Sequence, residues 1–181
     1  MAPSGATPHR IELKLRDFHQ LFNSMDPSPF HDKDLDRDAE EFIVSWAREY
    51  PLDEPLTLRV HLEQWPVDDP TSLIRDAVHN YFAYRANLAN LEFRRLMRQG
   101  RTSLTIGALF LAVCLVGSGL LARHPAALTP YLREGLLIVG WVAMWRPLEI
   151  YLYDWWPVRG RQRHFVRLSS MPVEVVRGPA A

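Results

Sequence analysis

Two stretches near the N-terminus alternate apolar and polar side chains. Ile11, Leu13 and Leu15 alternate with Glu12, Lys14 and Arg16, and Leu56, Leu58, Val60 and Leu62 alternate with Thr57, Arg59 and His61. A period of two predicts strands with one buried face each. Pro51 and Pro55 bound the second stretch on one side and Pro66 on the other. Between the strands, Ser24–Phe30 has the prolines, Asp and Ser of a loop. Asp38 followed by Glu41 then predicts a capping-box-like helix start, with acidic groups favouring the N-terminus. That helix carries Phe42, Ile43, Trp46 and Ala47 on one side. Residues 10–68 therefore read as a small α/β unit, strand, helix, strand. Pro172–Val176 is the candidate third strand, which would bring both chain ends to one sheet.

The period then changes. Asp69 as N-cap and Pro70 at the first helical position open a helix over 69–102. Ile74, Ala77, Tyr81, Tyr84, Leu88 and Leu91 recur along it at spacings of three and four. This seam fits two arrangements: a helix packed on its own domain, or a homo-oligomeric coiled coil beside a membrane.

Two apolar runs follow. Leu104–Ala122 is apolar or small throughout, close to the length that crosses hydrocarbon, and the second run begins at Gly135 and reaches about Tyr153. Prolines in the segment between them cannot continue either helix. The expected architecture is an α+β membrane protein. An antiparallel two-helix transmembrane hairpin over 103–156 (spans about 104–122 and 135–153) joins the cytosolic α/β unit through the membrane-proximal helix. Small residues four apart, Ser103 with Gly107, Ala108 with Ala112, and Cys114 with Ser118, suit close helix approach. Trp141 and Trp145 lie too deep for an interface belt and are expected to pack on the first span or on a neighbouring subunit. Tyr151, Tyr153, Trp155 and Trp156 read as interface anchors.

Composition sharpens this picture. The formal net charge is +0, so nothing overall points to nucleic acid. Arginines nevertheless flank the runs: Arg94, Arg95, Arg98 and Arg101 before the first, and Arg159, Arg161, Arg163 and Arg167 after the second. The intervening segment has only Arg123 and Arg133. Positive residues stay cytoplasmic, which predicts both termini inside. Met1–Pro8 has no apolar core of a cleavable signal and reads, with residue 9, as a disordered tail. Residues 157–181 read as a basic cytosolic tail. The single cysteine, Cys114, is expected to be a small packing residue.

Arg146 and Glu149 stand where hydrocarbon is expected, Arg146 roughly 18 Å along the helix from Glu134. Spacing of three makes them neighbours. Pro147, the expected kink, removes the hydrogen bond to the carbonyl of Ala143, and Ser118 or another group of the first span is a candidate partner for that carbonyl. Three readings follow. In the structural one, Arg146 snorkels to the cytoplasmic headgroups and Glu149 neutralises it. In the second, Arg146 with Arg159, Arg161 and Arg163 holds an anionic lipid head group. In the third, an oligomer lines a proton or ion path with Arg146 and Glu149.

Other chemistry is not encoded convincingly. Asp32, Asp34, Asp36 and Asp38 alternate like a calcium loop, but the turn glycine is missing and Ile43 stands where the bidentate glutamate belongs. His31 beside them is a poor metal ligand candidate, and His61 and His79 are expected at the surface. No phosphate loop, nucleophile elbow or His-Glu-x-x-His segment is present. No cofactor, metal or catalytic set is expected.

Asp26–Phe30, Asp38–Ile43 and Trp145–Pro157 resemble segments of uncharacterised bacterial two-span inner-membrane proteins. The resemblance implies a bacterial inner membrane and a cytosolic N-terminal part, and brings no activity with it. The function expected is a non-enzymatic membrane scaffold or adaptor that self-associates or recruits a partner, with membrane lipids, anionic ones included, around it. A small oligomeric channel or proton pathway is the alternative, followed by a lipid-acting enzyme using carboxylates of Asp32–Glu41.

Overall fold

A computed structural model describes residues 9–29, 33–123 and 126–178. The expected tail of residues 1–8 and the candidates His31 and Asp32 lie outside the described residues. The chain is mixed helix and sheet and divides into two compact units. One comprises Met1–Ala89 with Gly160–Ala181, the other Asn90–Arg159.

In the first unit, β1 (His9–Leu15), β2 (Leu56–Leu62) and β3 (Val173–Arg177) form a parallel sheet in the order β1-β2-β3. The C-terminal stretch thus pairs with the central strand, from Leu58↔Val173 to Leu62↔Arg177. A chain that steps the same way at each right-handed crossover lays its helices on one face of the sheet. The side chains follow that rule. Ile11, Leu13, Leu58, Val60, Leu62 and Val173 are buried with residues of α1 (Arg37–Glu49), α2 (Thr71–Leu121) and α5 (Trp155–Leu168). The opposite face is polar: Glu12, Arg59 and Glu174 stand in register, and Arg59 bonds Glu174 at 2.6 Å.

The helix start differs by two residues from the sequence reading. Asp36, not Asp38, is the N-cap, its carboxylate accepting from the Asp38 amide at 3.0 Å. The buried stripe of α1 is Ala39, Ile43, Val44 and Ala47, while Phe42 and Trp46 turn half outward beside each other. Small residues on the inner side let α1 sit close to the sheet, leaving no room for two large rings. Asp69 does cap α2, accepting from the amide and hydroxyl of Thr71.

α2 is one unbroken helix of 51 residues instead of a proximal helix followed by a separate span. No proline occurs between Pro70 and Pro125, so nothing stops it. The first half of the expected seam, Ile74, Ala77 and Tyr81, is buried in the core of the α/β unit. Tyr84, Leu88 and Leu91 remain exposed. Three positions of the seam therefore pack within the α/β unit and three do not. His79 is not a free surface group: its Nε2–H donates to the carbonyl of Met171 at 2.8 Å, holding the turn before β3. Arg167 donates to the carbonyls of Tyr50 and Glu54 and fixes the segment leading into β2.

In the second unit, α2 packs on α3 (Thr129–Val142), α4 (Trp145–Glu149) and the turn after it. Contacts run in reverse order along the two segments: Gly117 with Leu136, Gly140 with Leu111 and Cys114, Gly107 with Ala143, and Gly100 with Ile150. Gly100, Gly107 and Cys114 are spaced by seven and all buried. Ser118 is also buried, whereas Ala108 and Ala112 point outward. Two of the three small pairs therefore lie on the packed face.

Phe82 is fully buried and stacks on Phe165 with ring centroids 6.3 Å apart. Phe82→Ala should destabilise the α/β unit by about 3–5 kcal/mol, read by chemical or thermal unfolding. Tyr84→Ala, at a 56% exposed position, should cost far less.

Candidate functional site

The polar residues in the second apolar run come together around a break in the helix. α3 ends at Val142, and α4 resumes at Trp145. At the break, Met144 turns its amide to Trp141, one residue short of the α-helical partner. The cause is Pro147, which is fully buried and has no N–H for the carbonyl of Ala143. The α2 residue that meets this carbonyl is Gly107, not Ser118. A Cβ built on Gly107 would lie 2.9 Å from the Ala143 oxygen. Only a hydrogen on Cα fits there, a weak carbon donor to a carbonyl that lost its amide. Ser118 lies eleven positions along α2 from Gly107, near Gly117 and its neighbour Leu136.

After α4, Ile150–Asp154 forms a π turn. A π turn inserts one extra residue into the helical rotation. Asp154, eight positions after Arg146, thereby takes the angular place that a seventh position has in an α-helix. It joins the side of Arg146 and Glu149. Arg146 Nη1 lies 2.9 Å from Glu149 Oε2 and 3.3 Å from Asp154 Oδ2. The expected pair is a triad, with two carboxylates on one guanidinium. Sequence reasoning missed Asp154 because ideal α-helical spacing turns it away. The available signal was the aromatic crowding of Tyr151–Trp156, where Trp155 Nε1 donates to the Tyr151 carbonyl left over by the wider turn.

Of the arginines expected to share a head group, Arg159 lies over the ring of Phe93 at 5.2 Å, Arg163 is exposed, and Arg161 lines a cleft of the α/β unit with Arg37, Arg48 and Arg85. Positions two apart on a helix do not face each other, which splits Arg161 from its neighbours. Arg146 has its two carboxylates instead. Among the described residues no group of three His, Cys, Asp or Glu side chains could hold a metal ion.

Within the α/β unit, Glu40 joins two neighbouring side chains of α2. It accepts from Tyr81 Oη at 2.6 Å and from Arg85 Nη2 at 2.6 Å. Burial, then the Glu40 carboxylate, push the Tyr81 phenol up, so it remains a donor at any physiological pH. His164 is different. Its buried Nδ1 has no hydrogen-bond partner among the described residues. Desolvation first, then Arg48 and Arg167, hold its pKa below the ordinary histidine value.

Two predictions follow from these contacts. Gly107→Val should push the helices apart and lower thermal stability in detergent, by about 1–3 kcal/mol as overpacked cores do. Gly119→Ala, with nothing within 4 Å of the added carbon, should be near neutral. The His164 shift also has a sign. A folded-state pKa below the unfolded value gives stability that is complete above about pH 6.5 and is lost as pH falls toward the folded value. The unfolding midpoint should therefore drop on acidification through that window, and His164→Gln should flatten the drop.

No protein-family model, no curated protein and no solved structure matches this chain, so its function has to be argued from the chemistry of these two units.

Proposed function

We propose that this chain is a two-span protein of a bacterial inner membrane, with both termini cytoplasmic, that serves as a non-enzymatic scaffold or adaptor. One observation carries the reading. The helices Thr71–Leu121 and Thr129–Leu168 are long and apolar enough to cross a membrane, and in each only 17% of the most apolar stretch is buried by the chain itself. A core helix of a water-soluble protein would be covered. Ile106, Leu109, Val113, Val116, Ile138, Val139 and Val142 are all more than half exposed. Contiguous apolar surface of this extent needs acyl chains or another protein against it.

Several features agree with an N-in, C-in hairpin. Arginines flank its open end, and both chain ends contribute strands to a single sheet. Arg146 extends toward Asp154, the direction of the arginine-rich flank, as a snorkelling side chain does. Glu149 and Asp154 on the Arg146 guanidinium offset its charge locally, which supports its structural role. The exposed Tyr84, Leu88 and Leu91 and the uncovered spans offer surfaces for a second copy or a membrane-protein partner.

The triad also keeps a second reading alive, since two carboxylates on one guanidinium leave acceptor capacity for a proton in an oligomer. Tags at either terminus should be protected from external protease in intact spheroplasts and cut after permeabilisation. Crosslinking in the membrane should give defined oligomers or one heterologous partner. A periplasmic terminus would overturn the topology, and a strictly monomeric, unpartnered chain would remove the scaffold. Proteoliposome proton flux above background that Glu149→Gln abolishes would favour the pathway instead.

A further inference from the structure

Three helices of the α/β unit bring arginines to one cleft of about 340 Å³. Arg37 and Arg48 stand on α1 eleven positions apart, three helical turns, so they share a side. Arg85 enters from α2 and Arg161 from α5, and Phe165 forms part of the wall. Two carboxylates, Glu40 and Glu41, oppose these four arginines. Glu40 is occupied by Tyr81 and Arg85. The guanidinium of Arg85 lies 5.3 Å from the centroid of the Phe165 ring, and its buried Nε has no hydrogen-bond partner among the described residues. Arg37 and Arg48 make no ion pair or hydrogen bond among the described residues.

Guanidinium groups of like charge converging on a concave space raise a positive potential there, which an entering anion relieves. We propose that this cleft binds a phosphate-bearing anion, whose oxygens take donors of Arg37, Arg48 and Arg85. A carboxylate has two oxygens and one charge; a phosphate monoester has three terminal oxygens and close to two charges. Arginine forks match phosphate geometry two donors at a time. The volume exceeds that of a phosphate alone and lies within the range of small-molecule pockets, so the rest of a phosphorylated molecule fits beside Val44 and Phe165. The sequence did not show this site, because its residues come from positions 37, 48, 85 and 161 and adjoin only in the fold. All of them belong to the α/β unit, so the inference does not depend on the membrane reading.

The test uses the full chain in mild detergent, which keeps it in solution whether or not it spans a bilayer. Inorganic phosphate and pyrophosphate are titrated while thermal unfolding and binding heat are followed. Both probes should raise the midpoint. Arg37→Gln with Arg48→Gln should weaken pyrophosphate binding at least about tenfold, the loss of charge-assisted hydrogen bonds. Arg10→Gln, an exposed control on β1, should leave it unchanged. Without ligand, the double variant should unfold no earlier than wild type, because it loses like-charge repulsion and no ion pair. A further arm places the chain in nanodiscs of phosphatidylcholine, with or without phosphatidylglycerol. Stabilisation by soluble phosphate in the neutral discs assigns a free ligand; stabilisation only by phosphatidylglycerol, lost in the double variant, assigns a head group. No stabilisation by any probe, or equal losses in the double variant and Arg10→Gln, overturns the proposal.

Discussion

Apolar surface that the chain leaves uncovered is the constraint on which the rest depends. Burying a leucine or valine side chain is worth about 1.5–3 kcal/mol, and a dozen such side chains on these two helices are more than a third exposed. Other features follow once lipid is placed against them. The small residues of α2 then belong to the helix-facing side, where close approach is needed, and the large ones to the lipid side. Gly100, Gly107 and Cys114 do occupy the covered face, while Leu109, Val113 and Val116 occupy the open one.

Within that arrangement the second helix departs from regularity twice within eight residues. Pro147 opens the ladder at Ala143, and the π turn after Glu149 reopens it. Both departures are answered locally: by Gly107 against the Ala143 carbonyl, and by the Trp155 indole on the Tyr151 carbonyl. The second also brings Asp154 to Arg146. A charged side chain in an apolar stretch is thereby given two counter-ions.

Much of the fold was legible from periodicity. The two alternating stretches are β1 and β2, the C-terminal stretch is β3, and Asp69 opens α2. Periodicity does not say which side of a pattern packing covers. Of Phe42, Ile43, Trp46 and Ala47, grouped on one side of α1, only Ile43 and Ala47 are buried, together with Ala39 and Val44. The seam Ile74–Leu91 fitted two arrangements, and the α/β unit buries Ile74, Ala77 and Tyr81 while Tyr84, Leu88 and Leu91 stay exposed. The site was less legible than the fold. Arg146 and Glu149 announce themselves as charges in an apolar run, but Asp154 joins them only through a π turn that no local pattern foretells. The arginine cleft is assembled from three helices far apart in sequence, so only the fold reveals it.

The account turns on what surrounds the open faces of the two long helices. Spin labels at Leu109 and Val113 of the reconstituted chain, in a Cys114→Ala background, would report this from collision with oxygen against a water-soluble nickel chelate. The account predicts strong relaxation by oxygen and weak relaxation by nickel at both sites, with the reverse at Arg10. Nickel accessibility at Leu109 and Val113 equal to that at Arg10 would place these faces in water and contradict it.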